Sequence, residues 1–187
     1  MDKITIAGIL IYILKCIYTT LPAMFANFAP IIVQKVNFLV YPLDFNKTIG
    51  GTPILGKNKT FRGLFFGILS SIIIMNVEYG IYKLSGWDFT IYSFDTVNFQ
   101  ALGFLMGFGV IAGDSVKSFI KRRLAIEPGK SFIPWDQIDC VLGGLLFGRI
   151  VWDFPIMYGI SIIIITFCMH IGIRYIAYYL GITKSKW

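Results

Sequence analysis

Apolar runs long enough to cross a membrane fill most of this chain, and they constrain its fold more than any other feature. Of the 187 residues, 56% are hydrophobic and only 14% are charged, whereas about a quarter of a soluble domain is charged. Because a transmembrane helix needs about 20 apolar residues, at most about five or six spans fit. The sequence therefore predicts an all-α polytopic membrane protein that forms one domain over residues 1–187. The predicted spans cover about residues 4–33, 63–84, 99–119, 136–151 and 154–180.

Basic residues concentrate in two of the predicted loops. The loops at about residues 34–62 and 114–135 each contain five Lys or Arg residues, whereas residues 85–98 contain none. Because positive residues stay on the cytoplasmic side, we expect both basic loops at the cytoplasmic face, with the N-terminus outside and the C-terminus cytoplasmic. This topology requires five spans, but the charge-free core of the fourth, residues 140–148, is short, and a re-entrant segment is the alternative. Glu78 lies near the outer end of the second span and is interpreted as interfacial.

The segment GDSVKSFIKRR, residues 113–123, continues an apolar helix directly into charge. With 100° between successive residues, one helical face about 140° wide contains five of its polar side chains, while Arg123 points to the opposite side. Clustered cations suit an anion with several charges, such as a polyphosphate, and an acid among them suits a divalent metal. A basic segment that binds anionic lipid headgroups is the alternative, although it leaves the acid and the hydroxyl unexplained. The shared face consists of Asp114, Lys117, Ser118, Lys121 and Arg122.

The segment PGKSFIPWDQID, residues 128–139, adds two further acids. Pro134 precedes a predicted helix start, so Asp136 and Asp139 lie one turn apart where the helix dipole favours carboxylates. Together with Asp114 they would form an oxygen-ligand cluster suited to Mg²⁺, without the thiols or imidazoles of a zinc site. A helix-capping role is the alternative for Asp136.

The segment GGTPILGKNKTFRG, residues 50–63, supplies basic residues just before another predicted helix. Glycine permits a close backbone approach, and Lys57, Lys59 and Arg62 offer charge where anions bind well. The segment does not match the GxxxxGK[ST] phosphate loop, and no strand precedes it, so a P-loop fold is rejected.

These segments together resemble the CDP-archaeol synthase family, archaeal membrane cytidylyltransferases. The resemblance rests on GDSVKSFIKRR followed by PGKSFIPWDQID, and on PLDFNKT and ILGKNKTFRG in the first loop, and it covers essentially the whole chain. Bacterial CDP-diacylglycerol synthase is more distantly similar. The resemblance implies that CMP passes from CTP to unsaturated archaetidic acid, an isoprenoid glycerol phosphate lipid, giving CDP-archaeol and pyrophosphate with Mg²⁺ as cofactor.

The resemblance also implies roles for individual residues. Phe61, Ala125 and Glu127 depart from residues common in the family, but they flank the charged clusters. The implied metal ligands are Asp114, Asp136 and Asp139, which together with Lys117 form the implied catalytic group. The implied CTP and phosphate ligands are Lys57, Lys59, Thr60, Arg62, Lys117, Ser118, Lys121, Arg122, Gly129 and Lys130.

Other functions remain open at this point. A CDP-diacylglycerol synthase would use the same chemistry on an acyl lipid, and a CTP-dependent polyprenol kinase would release CDP instead of pyrophosphate. A transporter of phosphorylated anions would favour midplane charges and repeated, broken helices, but the charges of this chain crowd one face. A structural membrane protein with basic loops leaves the three acids unexplained. No nucleic-acid partner is expected, and His170 is interpreted as structural.

Overall fold

The computed structural model of the chain describes residues 6–127 and 130–181. Within these ranges five α-helices account for most of the fold, which confirms the predicted all-α architecture of about five helices. A 3₁₀ turn at Val33–Lys35 and a small antiparallel hairpin, β1 (Thr48–Ile49) paired with β2 (Thr52–Pro53), lie between the first two helices. The helices are α1 (Ile6–Ile32), α2 (Phe61–Ser85), α3 (Phe99–Arg123), α4 (Trp135–Gly148) and α5 (Ile156–Tyr179).

Four of the described helices are long and apolar enough to cross a membrane, namely those covering Ile6–Lys35, Phe61–Ser85, Phe99–Arg123 and Ile156–Ile176. The fourth helix, α4, has 14 residues and is therefore about 21 Å long, short of a hydrocarbon core about 30 Å thick. Residues 149–155 continue from α4 without helical structure. They reach the loop between α2 and α3, where the Trp152 ring lies 5.3 Å from the Tyr92 ring. The fourth apolar segment is thus a short helix followed by a non-helical segment that reaches the loop between α2 and α3. A complete membrane crossing by this segment stays a prediction.

Local sequence explains where the helices begin and end. Thr60 accepts a hydrogen bond from the Gly63 amide at the start of α2, and Asn98 accepts one from the Ala101 amide at the start of α3. Such caps satisfy the otherwise unpaired first amides of a helix. Gly86 ends α2 in the left-handed conformation, with φ of 70°. The helix α1 is continuous from Ile6 to Ile32 although it contains Pro22 and Pro30.

Close backbone contact joins α3 and α4 as antiparallel neighbours. A Cβ atom added to Gly109 would lie 2.2 Å from the carbonyl oxygen of Gly143, and one added to Gly113 would lie 2.3 Å from that of Asp139. Only glycine permits such an approach, as is usual where helices pack inside a membrane. This contact places Asp139 directly beside the turn of α3 that carries Asp114.

The acidic loop at residues 86–98 folds back into the bundle at the end opposite the basic loops. The Tyr92 side chain is only 3% exposed, and its hydroxyl donates to Glu78 Oε2 over 3.1 Å. Glu78 itself is only 2% exposed. The interpretation of Glu78 as interfacial is therefore wrong, because the returning loop covers a carboxylate that hydropathy alone placed at the membrane edge.

Candidate active site

The first basic loop, the charged end of α3 and the loop that follows it meet around one cavity at the end of the bundle, with a volume of about 740 Å³. This is the size range of small-molecule and cofactor sites. The predicted start of the second basic loop at about residue 114 is wrong, because α3 continues to Arg123. One wall is the segment from Thr52 to Lys59 of the first loop, and the other is the last turns of α3 with the residues that follow it. We call this space the charged cavity. Its charged lining residues are Lys57, Lys59, Asp114, Lys117, Lys121, Arg122, Glu127 and Asp136.

The charged face of α3 forms the helical wall of the charged cavity. All five side chains expected on this face line the cavity, as the helical spacing predicts. Ser118 and Lys121 are buried, with 8% and 7% exposure. Arg123 points away and donates to backbone carbonyls of the hairpin instead.

Lys117 is the point at which the acids of two helices converge. Its Nζ lies 3.2 Å from Asp114 Oδ1, 3.3 Å from Asp136 Oδ1 and 2.8 Å from Asp139 Oδ2. The Asp139 side chain is only 5% exposed, and its Oδ1 has no hydrogen-bond donor among the described residues. A buried carboxylate is costly unless a cation balances its charge. The Lys117 ammonium is thus surrounded by carboxylate oxygens from α3 and α4.

Contacts at the start of α4 hold the Asp136 side chain in place. It accepts a hydrogen bond from the Phe132 amide over 2.6 Å, and both of its oxygens lie 3.3 Å from Lys121 Nζ. Lys121 also donates to the carbonyl of Lys130. Lys121 therefore ties the loop between α3 and α4 to the charged face of α3.

The first loop contributes Lys59, which forms an ion pair with Asp114 across 55 positions of the chain. Lys57 also lines the cavity but is exposed. The loop depends on Asp44, a buried carboxylate that accepts hydrogen bonds from the Leu55 and Gly56 amides. Burial by itself would raise the pKa of Asp44, but the backbone hydrogen bonds outweigh it and lower the pKa below its ordinary value.

Some of the residues implied by the family resemblance are not brought to the cavity. Thr60 caps α2, and Arg62 donates to the carbonyl of Val36 over 2.7 Å. Lys130 approaches the site through its carbonyl, and its side chain is absent from the cavity lining. Gly129 lies outside the described residues. The roles of these four residues in phosphate binding stay predictions.

Asp44 and Arg123 organise the site but were not identified from the sequence. Aspartate favours turns because its side chain can bond to the backbone amide two residues on, and the Asn46 amide donates to Asp44 Oδ1 over 3.0 Å. That signal could have placed Asp44 in a turn. The contacts of Asp44 with Leu55 and of Arg123 with the hairpin span 11 and about 70 positions, so no local pattern could have revealed them.

A divalent cation fits the oxygen ligands present at this site. Within residues 6–127 and 130–181 no three His, Cys, Asp or Glu side chains form a ready metal cluster. Mg²⁺, however, is commonly held by one or two carboxylates together with substrate phosphates and water. Asp114 and Asp139 already converge on the Lys117 ammonium, so the carboxylates needed for such binding are present.

The bundle and the charged cavity define a class: a multi-pass membrane protein with a cavity lined by both acidic and basic side chains at one end of its helices. Comparison with known proteins makes the assignment specific. A family model described as CarS-like CDP-archaeol synthase matches residues 9–187. The chain belongs to the CDP-archaeol synthase family.

Individual relatives agree with this assignment. A CDP-archaeol synthase of Archaeoglobus fulgidus is 39% identical over 181 residues, covering 94% of this chain and 98% of the relative. That of Methanocaldococcus jannaschii is 39% identical over 154 residues, covering 78% of this chain and 83% of the relative. A solved structure of an intramembrane enzyme for archaeal membrane lipid biosynthesis matches with a TM-score of 0.65 at 24% identity, covering 91% of this chain and 95% of that one. At that identity the structural match supports the fold alone.

Proposed function

We propose that the chain transfers CMP from CTP to the phosphate of 2,3-bis-O-geranylgeranylglycerol 1-phosphate, giving CDP-archaeol and pyrophosphate. The observation that carries the proposal is the convergence of Asp114, Asp136 and Asp139 on Lys117. Lys117, Asp114 and Asp136 line a cavity whose walls are otherwise rich in cations, and Asp139 is buried directly behind them. Anionic and cationic groups arranged in this way suit a triphosphate bound together with a metal. Membership of the CDP-archaeol synthase family supports the same reaction.

The reaction needs alignment and charge neutralisation more than proton transfer. A phosphate monoester is already ionised near neutral pH, so an oxygen of the lipid phosphate can attack the α-phosphorus of CTP directly. The bond from that phosphorus to the bridging oxygen breaks, and pyrophosphate leaves with the electron pair. The charge that develops on the leaving group is the main electrostatic demand on the site.

The cations of the charged cavity meet that demand in this proposal. Lys121 and Arg122 on α3 and Lys59 on the first loop would hold the β- and γ-phosphates from opposite walls. Lys117 lies among the acids and would approach the α-phosphate or the lipid phosphate. Because these groups are held by helices and ion pairs, they need little rearrangement as the reaction proceeds.

Asp114 and Asp139, with Asp136 beside them, are the residues that would hold Mg²⁺. When bound, the metal would neutralise phosphate charge and favour departure of pyrophosphate. The ion pairs of these acids with Lys59 and Lys117 balance their charge otherwise. With either Mg²⁺ or the lysine ammonium groups beside them, the negative charge of these carboxylates stays balanced, as burial in a low-dielectric site requires.

The location of the site suits a lipid substrate. The charged cavity lies where α3 and α4 meet the basic loops, and the sides of α1, α2 and α5 expose large apolar side chains. Isoprenoid chains can remain among such apolar surfaces while the phosphate reaches the cavity. The concentration of Lys and Arg in the loops supports placing the site on the cytoplasmic face.

The first test is an assay of the protein purified in detergent with CTP, Mg²⁺ and the geranylgeranylated glycerol phosphate. We expect pyrophosphate and a CDP-lipid, measured by mass, and loss of both with EDTA. Release of CDP instead would support a CTP-dependent kinase, and an equal rate with a diacylglycerol phosphate in the same assay would contradict the isoprenoid preference.

A pair of variants tests the site within that assay. We expect Asp114→Asn to abolish turnover, because it removes a carboxylate from the cluster while keeping its shape. The matched control is Asp153→Asn, whose side chain is 93% exposed at the other end of the bundle. Near-normal turnover in Asp114→Asn would refute the role assigned to this carboxylate.

A further inference from the structure

Part of the first-loop wall of the charged cavity has no regular secondary structure to hold it in place. Residues 55–59, which we call the wall segment, line the cavity but belong to neither a helix nor a strand. The segment carries Lys57 and Lys59, the cations that face α3 from the first loop. Its position must therefore come from contacts made by other parts of the chain.

Asp44 fixes the beginning of the wall segment. Its Oδ2 accepts hydrogen bonds from the Leu55 amide over 2.8 Å and from the Gly56 amide over 3.1 Å, and its side chain is buried. A carboxylate that accepts several amide hydrogen bonds holds them strongly. Gly56 has φ of 102°, a conformation that side-chain-bearing residues rarely adopt. The turn that leads into Lys57 is thus shaped by one buried acid and one glycine.

Arg123 fixes the hairpin that directly precedes the wall segment. Its guanidinium donates to the carbonyl of Ile49 over 3.0 Å, to that of Thr52 over 3.1 Å and to that of Pro53 over 2.6 Å. A planar guanidinium is suited to several donations of fixed geometry. Arg123 belongs to α3, the helix that forms the opposite wall. Its contacts therefore tie the two walls of the cavity to each other.

We propose that Asp44 and Arg123 are positioning residues that set the gap between the lysines of the wall segment and the cations of α3, and so determine the affinity for the triphosphate. Neither residue lines the cavity, so both act through the wall segment. The inference rests on the proposed function, because it takes CTP as the ligand that both walls hold. Substitution of a residue needed only for folding would weaken the binding of both substrates alike, whereas substitution of a positioning residue for this wall weakens the binding of CTP selectively.

The test compares two conservative variants with two matched controls. Arg123→Lys keeps the charge but loses the planar fork, and Asp44→Asn keeps the shape but replaces one acceptor oxygen. Arg149→Lys is the arginine control, because Arg149 also donates to a backbone carbonyl, that of Phe154, and lies over an aromatic ring, but at the other end of the bundle. Asp153→Asn is the aspartate control.

The measurements are the equilibrium Kd for CTP, the KM for each substrate, kcat and the unfolding temperature. For Arg123→Lys and Asp44→Asn we expect Kd and KM for CTP to rise about tenfold, the effect of losing one charge-assisted hydrogen bond. The lipid KM and kcat should stay within about threefold, because a change confined to binding alters KM alone. Both controls should match the original protein.

Three outcomes separate the possibilities. Unchanged CTP affinity in both variants overturns the inference and leaves the proposed function standing. An equal rise in the KM for CTP and for the lipid, together with a lower unfolding temperature, overturns the inference in favour of a purely structural role. Absence of CTP binding by the original protein overturns the proposed function and the inference with it. If one variant fails to fold, the other still decides the result.

Discussion

Substitution of Gly113 by alanine tests whether the contact between α3 and α4 sets the geometry of the site. The added Cβ would lie 2.3 Å from the carbonyl oxygen of Asp139 and 3.3 Å from the Cα of Gly143. Because an ordinary contact of this kind is about 3.4 Å, the helices must separate by about 1 Å, and a displacement of that size can cost about a hundredfold in rate. The overpacking itself should destabilise the fold by about 1–3 kcal/mol.

The assay measures kcat for CDP-lipid formation, the KM for CTP and the unfolding temperature in the same detergent. We expect Gly113→Ala to lower kcat by about a hundredfold, because Asp139 moves relative to Asp114 and Lys117. Gly172→Ala is the matched control, since no atom lies within 4 Å of its added Cβ. A Gly113→Ala protein with kcat within about twofold of the original would refute the reasoning, whatever its stability, because the rate estimate depends on displacement of the carboxylate.

Three further results are expected. Lys117→Met leaves Asp139 buried without its ion-pair partner, so the unfolding free energy should fall by about 3–5 kcal/mol in a denaturant titration; a loss below about 1 kcal/mol would contradict this estimate. The pKa of Asp44 is lowered in the folded protein, so the stability that this carboxylate contributes is fully present above its ordinary pKa of about 3.9 and is lost as the pH falls through the lowered pKa. Asp44→Asn should therefore flatten the dependence of the unfolding free energy on pH in acid. An unchanged dependence would contradict this prediction. Arg62→Ala should leave the KM for CTP within about threefold, because Arg62 donates to the Val36 carbonyl outside the cavity. A tenfold rise in that KM would support a role of Arg62 in phosphate binding.

Properties that depend on nearby residues could be predicted from the sequence. The apolar runs indicated about five helices, and five α-helices are present within residues 6–127 and 130–181. The charged face of α3 followed from the period of the helix alone. The placement of Pro134 before a helix start was also confirmed, because α4 begins at Trp135.

Predictions about single residues were weaker where the partner lies far away in sequence. Glu78 looked interfacial because hydropathy does not register a loop that folds back over it, and Tyr92 of that loop buries it. Arg62 carries the charge expected of a phosphate ligand; its guanidinium donates to the Val36 carbonyl, and its role in phosphate binding stays a prediction. The opposite direction of Arg123 was predicted, yet only the fold shows that it meets the hairpin.

The sequence by itself determined that this chain is a membrane bundle with two basic loops and one amphipathic charged helix end. These features follow from the cost of polar groups in lipid and from the helical period, which act over a few neighbouring residues. Tertiary structure alone decided that Lys59 meets Asp114 and that Lys117 lies among acids from two helices. The close approach of α3 and α4 at Gly109 and Gly113 brings Asp136 and Asp139 within reach of Lys117, because the distance between two backbones sets which side chains can meet.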